Sequence, residues 1–362
     1  LTINKVERGK QNMKIGIIGG SGYVGGELLR LLLMHPQAEV AMVTSRQSAG
    51  EFIFNVHPNL RGLTQLKFVP QDMAELQKNC ELVFTATPHG GSQNLVPKLL
   101  EAGLKVIDMS ADFRLKNPAD YETYYNFKHA HPEMLKEAAY GLPELHREEI
   151  KKAKLVACPG CEATAAILAL APIVKAGLID KDKIVVDLKV GSSGGGSKPN
   201  LASHHPERFS GVRPYKVAGH RHIAEVEQEL NGLGNEQVKI SFTPHAVNMV
   251  RGILATIHTF PKQKVENKDL WKALRGMYGS EPFIRIVKYL KGPYQLPDPK
   301  ITMGTNFCDV GFEIDEHANR LILFSALDNM TKGAAGQGVQ CLNLLMGIDE
   351  TTGLKSTGFH PI

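Results

Sequence analysis

Cysteine is scarce in this chain: five residues in 362, at positions 80, 158, 161, 308 and 341. An odd number without framework spacing excludes a disulfide-built scaffold and fits a reducing compartment, so a cytoplasmic location is expected. No apolar run approaches the roughly 18 residues of a membrane helix, so no membrane span is expected. The polar leader LTINKVERGKQN has no apolar core of the signal-peptide kind, and Met13 is a candidate start. A strong charge excess is also missing. The net charge is +5 with acids and bases well mixed, which argues against a nucleic-acid binder and leaves an acidic substrate or partner. There is no internal repeat. What the chain does have is 43% hydrophobic residues and enough length for two domains.

The first informative segment is MKIGIIGGSGYVGGELLRLLLM, residues 13–34. Ile15, Ile17 and Ile18 predict a buried strand, and Gly19, Gly22 and Gly25 precede an amphipathic helix. Such glycines let the backbone approach a pyrophosphate held by the helix N-terminus, although a purely structural turn would use them too. Strands predicted at 39–44, 82–87 and 105–110 continue an alternating β and α pattern. Past the second strand the chain reads Val43-Thr44-Ser45-Arg46-Gln47, without the carboxylate that would bind a ribose hydroxyl. Ser45 and Arg46 suit a 2′-phosphate instead, so NADP is expected over NAD, against the bland reading of a solvated loop arginine. The expected cofactor contacts here are Gly19, Ser21, Gly22, Tyr23, Val24, Gly25, Ser45, Arg46 and Gln47.

The run LVACPGCEATAAILAL, residues 155–170, delivers Cys161 from a Pro-Gly turn into helix-forming sequence. At a helix N-terminus the macrodipole and free N–H groups favour a thiolate, which predicts a nucleophile; a small buried hydrophobe is the rival reading. Arg114, just past a strand with Asp108 and Asp112, is a candidate anchor for an anionic substrate or else an internal ion pair with one of those acids. From about residue 160 to 325 the pattern changes to strands at 184–190, 238–244 and 251–260 with long connections, which predicts a largely antiparallel sheet. Residues 191–197 read as a flexible Gly-Ser linker or an anion-binding loop, with Ser193 a candidate substrate contact. A final helix, within residues 331–346, is expected to pack back on the first domain, with Asn329 at its approach as a cofactor contact.

Histidine is plentiful, at 14. His204 and His205 precede Arg208, and His220 and His222 flank Arg221 at the start of a predicted helix. A metal is not expected: His220 and His222 stand two apart, off a common helical face, and Cys158 with Cys161 has no second pair to complete a zinc site.

Gly-Gly-Ser-Gly-Tyr-Val-Gly at 19–25, Ser-Ala-Asp-Phe-Arg at 110–114, Pro-Gly-Cys at 159–161, Gly-His-Arg-His at 219–222 and Asp-Asn-Met-Thr-Lys-Gly-Ala-Ala-Gly at 328–336 together resemble the N-acetyl-glutamyl-phosphate reductase family, kin to aspartate-semialdehyde dehydrogenase. The resemblance runs from Met13 nearly to the C-terminus. His-Pro-Asn-Leu-Arg-Gly at 57–62, Ser-His-His-Pro-Glu-Arg at 203–208 and Glu-Pro-Phe-Ile-Arg at 281–285 are similar to the branch acting on carrier-protein-bound aminoadipyl or glutamyl phosphate. The acetyl branch usually reads Asn-Pro-Gly-Cys-Tyr-Pro-Thr at the nucleophile; Cys158-Pro159-Gly160-Cys161-Glu162-Ala163-Thr164 departs from it.

The resemblance implies a Rossmann-type dinucleotide-binding domain, residues 13–160 and 326–362, and an α+β catalytic and oligomerisation domain, residues 161–325. It implies an NADPH-dependent acyl-phosphate reductase of lysine or arginine biosynthesis, with Cys161 the nucleophile and His220, at its ordinary pKa, the acid/base, His222 or Arg221 being the substrate-facing alternative. Ser193, His205, Arg208, His222 and Arg114 are then the substrate side. A small acidic carrier protein and a homo-oligomer, dimer or tetramer, are the implied partners. The free acetylated substrate is the alternative, and a non-enzymatic NADP sensor the remote one. Lys198, Arg208, Arg213 and Lys216 are expected to form the carrier-docking rim.

Overall fold

In a computed structural model, residues 12–234 and 237–361 are described. The polar leader up to Gln11 lies outside them. β1 (Met13–Ile18), β2 (Ala38–Thr44), β3 (Leu82–Thr85), β4 (Lys105–Asp108), β5 (Ala139–Tyr140) and β6 (Leu155–Ala157) form one sheet in the order β2-β1-β3-β4-β6-β5. Every pairing in it is parallel. Chain order reverses at β1, which opens a crevice at the carboxyl ends of β1 and β3, where doubly wound sheets bind ligands. Helix α1 (Tyr23–Leu32) leaves β1 through the glycine turn and buries Leu28, Leu29, Leu31 and Leu32. Helix α2 (Pro143–Lys152) precedes β6.

Helix α3 (Cys161–Lys175) begins where the first sheet ends, and from Glu162 to Val174 it is buried all round. It lies under a second sheet of β7 (Ile179–Val190), β8 (Arg213–Pro214), β9 (Ile240–Ala246), β10 (Ile253–Pro261), β11 (Ile284–Ile286), β12 (Cys308–Asp315) and β13 (Arg320–Leu327). Their order is β11-β12-β13-β10-β7-β9-β8. The sheet is mixed: its middle is antiparallel, while β11 with β12 and β7 with β9 run parallel. The parallel pair β7 and β9 is bridged by helix α4 (His222–Asn231), the long crossover a parallel pair requires. The alternating inward residues Ile184, Val186, Leu188, Ile253, Ala255 and Ile257 share one core with Ala166, Ile167 and Leu170 of α3.

β13 runs to Leu327, two residues past the boundary expected at 325. The chain then returns to the first domain as helix α5 (Gly336–Leu345), whose Val339, Cys341, Leu342 and Leu345 join Ile15, Ile17 and Phe84 in the first core. Two charge sets fix this return. Arg251 bridges Glu27 of α1 (2.6 Å) and Asp328 (3.1 Å). Lys332, fully buried, donates to Glu144 of α2 (2.7 Å) and to Gln340 (2.8 Å). Breaking one side of such a pair leaves an uncompensated buried charge, typically about 3–5 kcal/mol. Lys332→Met should therefore lower the denaturant midpoint by an amount of that order, and the double variant Lys332→Met with Glu144→Leu should recover most of it, as chemical unfolding curves would record.

Candidate active site

The turn that delivers Cys161 lies between the end of the first sheet and α3. Cys158 N–H donates to the Asp108 carbonyl at the end of β4 (2.8 Å), and Gly160 caps α3 in an extended conformation, so Cys161 is the first helical residue. Gly160 is required by packing: a Cβ there would lie 2.3 Å from His222 Nε2. Gly333 is required on the other side, where a Cβ would lie 2.7 Å from that of Cys161. Beneath the turn sits Glu225 of α4, with no exposure. Its carboxylate accepts from Gly160 N–H (2.8 Å), Tyr140 O–H (3.0 Å) and Arg114 (3.2 Å). These neighbours hold its pKa below the usual carboxylate range against the opposing effect of burial.

Arg114 is thus not positioned as a substrate anchor. Its Nε donates to the Cys158 carbonyl (2.6 Å) and a terminal nitrogen to the Met109 carbonyl (3.2 Å), and its ion pair is with Glu225 rather than with Asp108 or Asp112. The two acids are used locally: Asp112 accepts from the backbone of Gly90, Ser92 and Gln93, while Asp108 accepts from Thr85, Ser92 and Ser110. Burial and Asp112 together push Asp108 up to about 6.

Cys161 is half-buried, whereas the other four cysteines are buried, and all five are free. The helix N-terminus does not by itself make a thiolate. Desolvation and the carboxylate of Glu162 push the thiol up to about 12, with Arg221 and then Arg114 acting in the opposite sense. Glu162 collects the rest of the site. Its Oε1 accepts from Tyr215 O–H (2.6 Å), and its Oε2 lies 2.7 Å from His222 Nδ1 and 3.4 Å from His220 Nε2. His222 Nδ1 nonetheless makes no directed hydrogen bond. Although two apart in sequence, the histidine rings converge to 4.9 Å, because His220 precedes the helix that His222 begins. One donor atom each from Glu162, His220 and His222 falls within 4.8 Å, a grouping that helical spacing did not foresee. His220 stacks on Phe242 (5.1 Å), and its Nδ1 accepts from His222 N–H (3.3 Å). In the neutral ring the proton then resides on Nε2, facing Glu162. Burial lowers this ring to about 3, not the ordinary 6.5 expected from sequence, so it is neutral at physiological pH.

At the crevice, Gly19 has φ +83°, and a Cβ there would lie 2.4 Å from the Ala86 carbonyl. A Cβ on Gly25 would lie 2.6 Å from Gly20 Cα, while one on Gly22, the α1 N-cap, would make only an ordinary contact with the Gly19 carbonyl, and Gly22 provides no side-chain cap. The first-turn N–H groups at Tyr23, Val24 and Gly25 are thereby left to a ligand. Ser45 Oγ is 3.0 Å from Ser21 Oγ, which joins the two turns, and Arg46 and Gln47 are exposed beside them. These residues suit a dinucleotide with an extra phosphate on its ribose. Asn329 donates to Ser193 Oγ (2.9 Å) and accepts from Gly252 N–H (2.8 Å), so two residues expected on different ligands contact each other. His205 is exposed and stacks on Phe209, and Arg208 donates to the Val190 carbonyl (2.9 Å).

Glu162, Glu225, Tyr140 and Tyr215 were not singled out from sequence. Glu225 carried one usable signal, its place one turn after His222 on the same helical face. If Glu162 and burial keep the thiol protonated, alkylation of Cys161 by iodoacetamide should rise about tenfold per pH unit from 7 to 9 without a plateau, since only the thiolate reacts. Glu162→Gln should speed it at fixed pH by removing the opposing charge; an unchanged rate would contradict this placement of Glu162.

Residues 14–153 match the family model for the semialdehyde dehydrogenase NAD binding domain, and residues 161–329 that for the semialdehyde dehydrogenase dimerisation domain. A LysW-L-2-aminoadipate/LysW-L-glutamate phosphate reductase of Saccharolobus solfataricus is 49% identical over 97% of this chain and 99% of its own. That of Sulfurisphaera tokodaii is 50% identical over 96% and 99%. Among solved structures, aspartate semialdehyde dehydrogenase II of Vibrio cholerae superposes with a TM-score of 0.70 at 18% identity, covering 93% of this chain and 99% of that one. At that identity the likeness bears on the fold. The Candida albicans aspartate semialdehyde dehydrogenase with NADP gives 0.67 at 18% identity, with the same coverage. The two matched domains, and relatives about half identical along nearly the whole length, make this chain a member of the semialdehyde dehydrogenase family, in its phosphate reductase branch.

Proposed function

We propose that this enzyme reduces a carrier-linked 2-aminoadipyl or glutamyl phosphate to the semialdehyde with NADPH, releasing phosphate, in lysine or arginine biosynthesis. The observation that carries it is Cys161 opening α3 next to Glu162, whose carboxylate gathers His220 and His222, in a chain about half identical to LysW-linked phosphate reductases. An acyl phosphate is already activated, so a sulfur nucleophile suffices: the Sγ–C bond forms as the C–O bond to phosphate breaks, and phosphate leaves with that electron pair. The thiol proton is taken up by the Glu162–His220–His222 cluster. When bound, the dinucleotide would supply the hydride that reduces the thioester; the C–S bond of the resulting thiohemiacetal then breaks, the semialdehyde leaves, and the Cys161 sulfur takes back the proton held by the cluster. His220, the assigned acid/base, carries its proton on Nε2 and is set to protonate the oxygen that develops charge. The free N–H groups of the first turn of α3 are the donors we assign to that oxyanion. Arg46, exposed beside Ser45, is the residue we assign to the 2′-phosphate.

Residues 198–217 support a carrier-docking surface. Lys198, Arg213 and Lys216 are exposed, and beside them stand Leu201 (78% exposed), Phe209 (58%), Val212 (70%) and Val217 (58%). Apolar side chains ringed by cations suit an acidic protein rather than a small ligand. Arg208 is the exception to the expected rim, half-buried with an unpartnered Nε. A homo-oligomer built on the second domain agrees with the dimerisation domain it matches. No helix of the described residues is long and apolar enough to cross a membrane, and the five free thiols suit the cytoplasm.

The test is a reductase assay comparing a carrier-linked acyl phosphate with N-acetyl-glutamyl phosphate. The carrier-linked substrate should be used with the higher kcat/KM, and its KM should rise severalfold between 50 and 300 mM salt because rim charges are screened within about 8 Å at physiological ionic strength. Arg213→Ser with Lys216→Ser should flatten that dependence. Equal use of the free acetylated substrate would transfer the chain to the other branch.

A further inference from the structure

The His-Pro-Asn-Leu-Arg-Gly segment at 57–62 packs against the glycine turn that follows β1. Ile53 before it and Leu60 within it are fully buried in the first core with Ile15 and Leu28. His57 ends the one-turn helix Ile53–Val56, and its buried ring lies against Gly26 of α1, where a Cβ would be 2.6 Å from Cε1 and Nδ1. Phe68 meets the same ring edge-on at 6.2 Å. From this seat Nε2 reaches the Gly20 carbonyl at 2.8 Å. A carbonyl only accepts, so the proton of the neutral ring is on Nε2. Burial lowers the basicity of the ring below its ordinary value, against the opposing effect of this bond. Gly20 is itself buried, and its N–H donates to the Thr44 carbonyl at the end of β2 (3.0 Å). Both polar groups of Gly20 are therefore used, and without His57 its carbonyl would be buried unpaired, which costs more than an ordinary bond gains.

The consequence for a ligand lies in the next peptide group. A trans peptide is planar, with its N–H pointing opposite to its C=O. Holding the Gly20 carbonyl toward His57 therefore turns the Ser21 N–H to the other side, where it has no acceptor among the described residues. We propose that His57 is the positioning residue of the pyrophosphate-binding turn, holding the Gly20–Ser21 peptide in the orientation that presents the Ser21 N–H to the dinucleotide. That donor joins the first-turn N–H groups of α1. With the peptide flipped, a carbonyl oxygen would face the phosphates in place of a donor, so the bond from His57 decides the sign of the contact. His57 acts on the part of the cofactor common to NADPH and NADH, whereas Arg46 is assigned to the 2′-phosphate that NADPH alone carries.

The experiment measures binding to the full-length enzyme: NADPH and NADH by nucleotide fluorescence, and adenosine 2′-monophosphate by displacement of NADPH. The last probe has the extra phosphate without a pyrophosphate. His57→Met keeps an apolar side chain against Gly26 and Phe68 but has no donor. It should weaken NADPH and NADH alike, by roughly tenfold, and leave adenosine 2′-monophosphate unchanged. His57→Gln, whose amide reaches about as far as Nε2, should restore most of the affinity for both dinucleotides, while His57→Asn, one bond shorter, should not. Unchanged dinucleotide affinity in His57→Met would overturn the proposal. Parallel weakening of adenosine 2′-monophosphate would overturn it too, because His57 would then only support the fold. So would a loss confined to NADPH, or a Gln variant no better than the Asn variant.

Discussion

The buried carboxylate of Glu225 is the interaction on which the site depends. From a helix of the second domain it takes the N–H of Gly160, the hydroxyl of Tyr140 and a guanidinium N–H of Arg114, all within 3.2 Å. Arg114 in turn grips the carbonyls of Cys158 and Met109 at the carboxyl edge of the first sheet. One charge pair therefore ties α4, the Cys161 turn and two parallel strands together, and the turn cannot shift without exposing a charge to a dry interior. An isolated buried ion pair is weak evidence for stability. What this one supplies is registry, since it places the His222 ring against Gly160 and hence beside the first residue of α3.

The same geometry leaves Cys161, the proposed nucleophile, electrically unsatisfied. Burial and Glu162 favour the thiol, the opposite of what a helix N-terminus alone would produce. A resting enzyme of this kind keeps its sulfur protonated and inert, and a thiol held in that state resists oxidation and stray alkylation. Ionisation becomes favourable when the proton can move into the Glu162 and histidine cluster as the C–S bond forms, so proton transfer and bond formation are coupled. The depressed basicity of His220 makes the resting ring a weak proton acceptor, and in its neutral form its Nε2–H is a hydrogen-bond donor to the oxygen on which charge develops.

The fold was largely legible in the chain. Apolar runs ending in glycine or threonine placed most of the first sheet, and Gly19 and Gly25 were readable because only glycine fits where Ala86 and Gly20 press on them. The mixed character of the second sheet was less so: β7 and β9 are parallel through the α4 crossover, and local patterning does not state which neighbour a strand will pair with. Cys161 and the histidines were visible as motifs, but their electrostatics were not. The sign of the thiol shift depends on Glu162 and burial, and the role of Arg114 depends on a glutamate 111 positions away. Such couplings arise only when two domains close on each other. Glu162 stood in plain view as a departure from the acetyl-branch motif, yet its significance needed the convergence of Tyr215, His220 and His222 around it.

The central claim is covalent: the acyl group passes through Cys161. The most direct measurement is the intact mass of the protein after mixing with acyl phosphate in the absence of dinucleotide, with released phosphate counted in the same sample. The account predicts one acyl adduct per active site, mapped to Cys161, with one equivalent of phosphate and clearance of the adduct when NADPH is added. Phosphate release without an adduct, or an adduct that persists at another residue in Cys161→Ser, would contradict it.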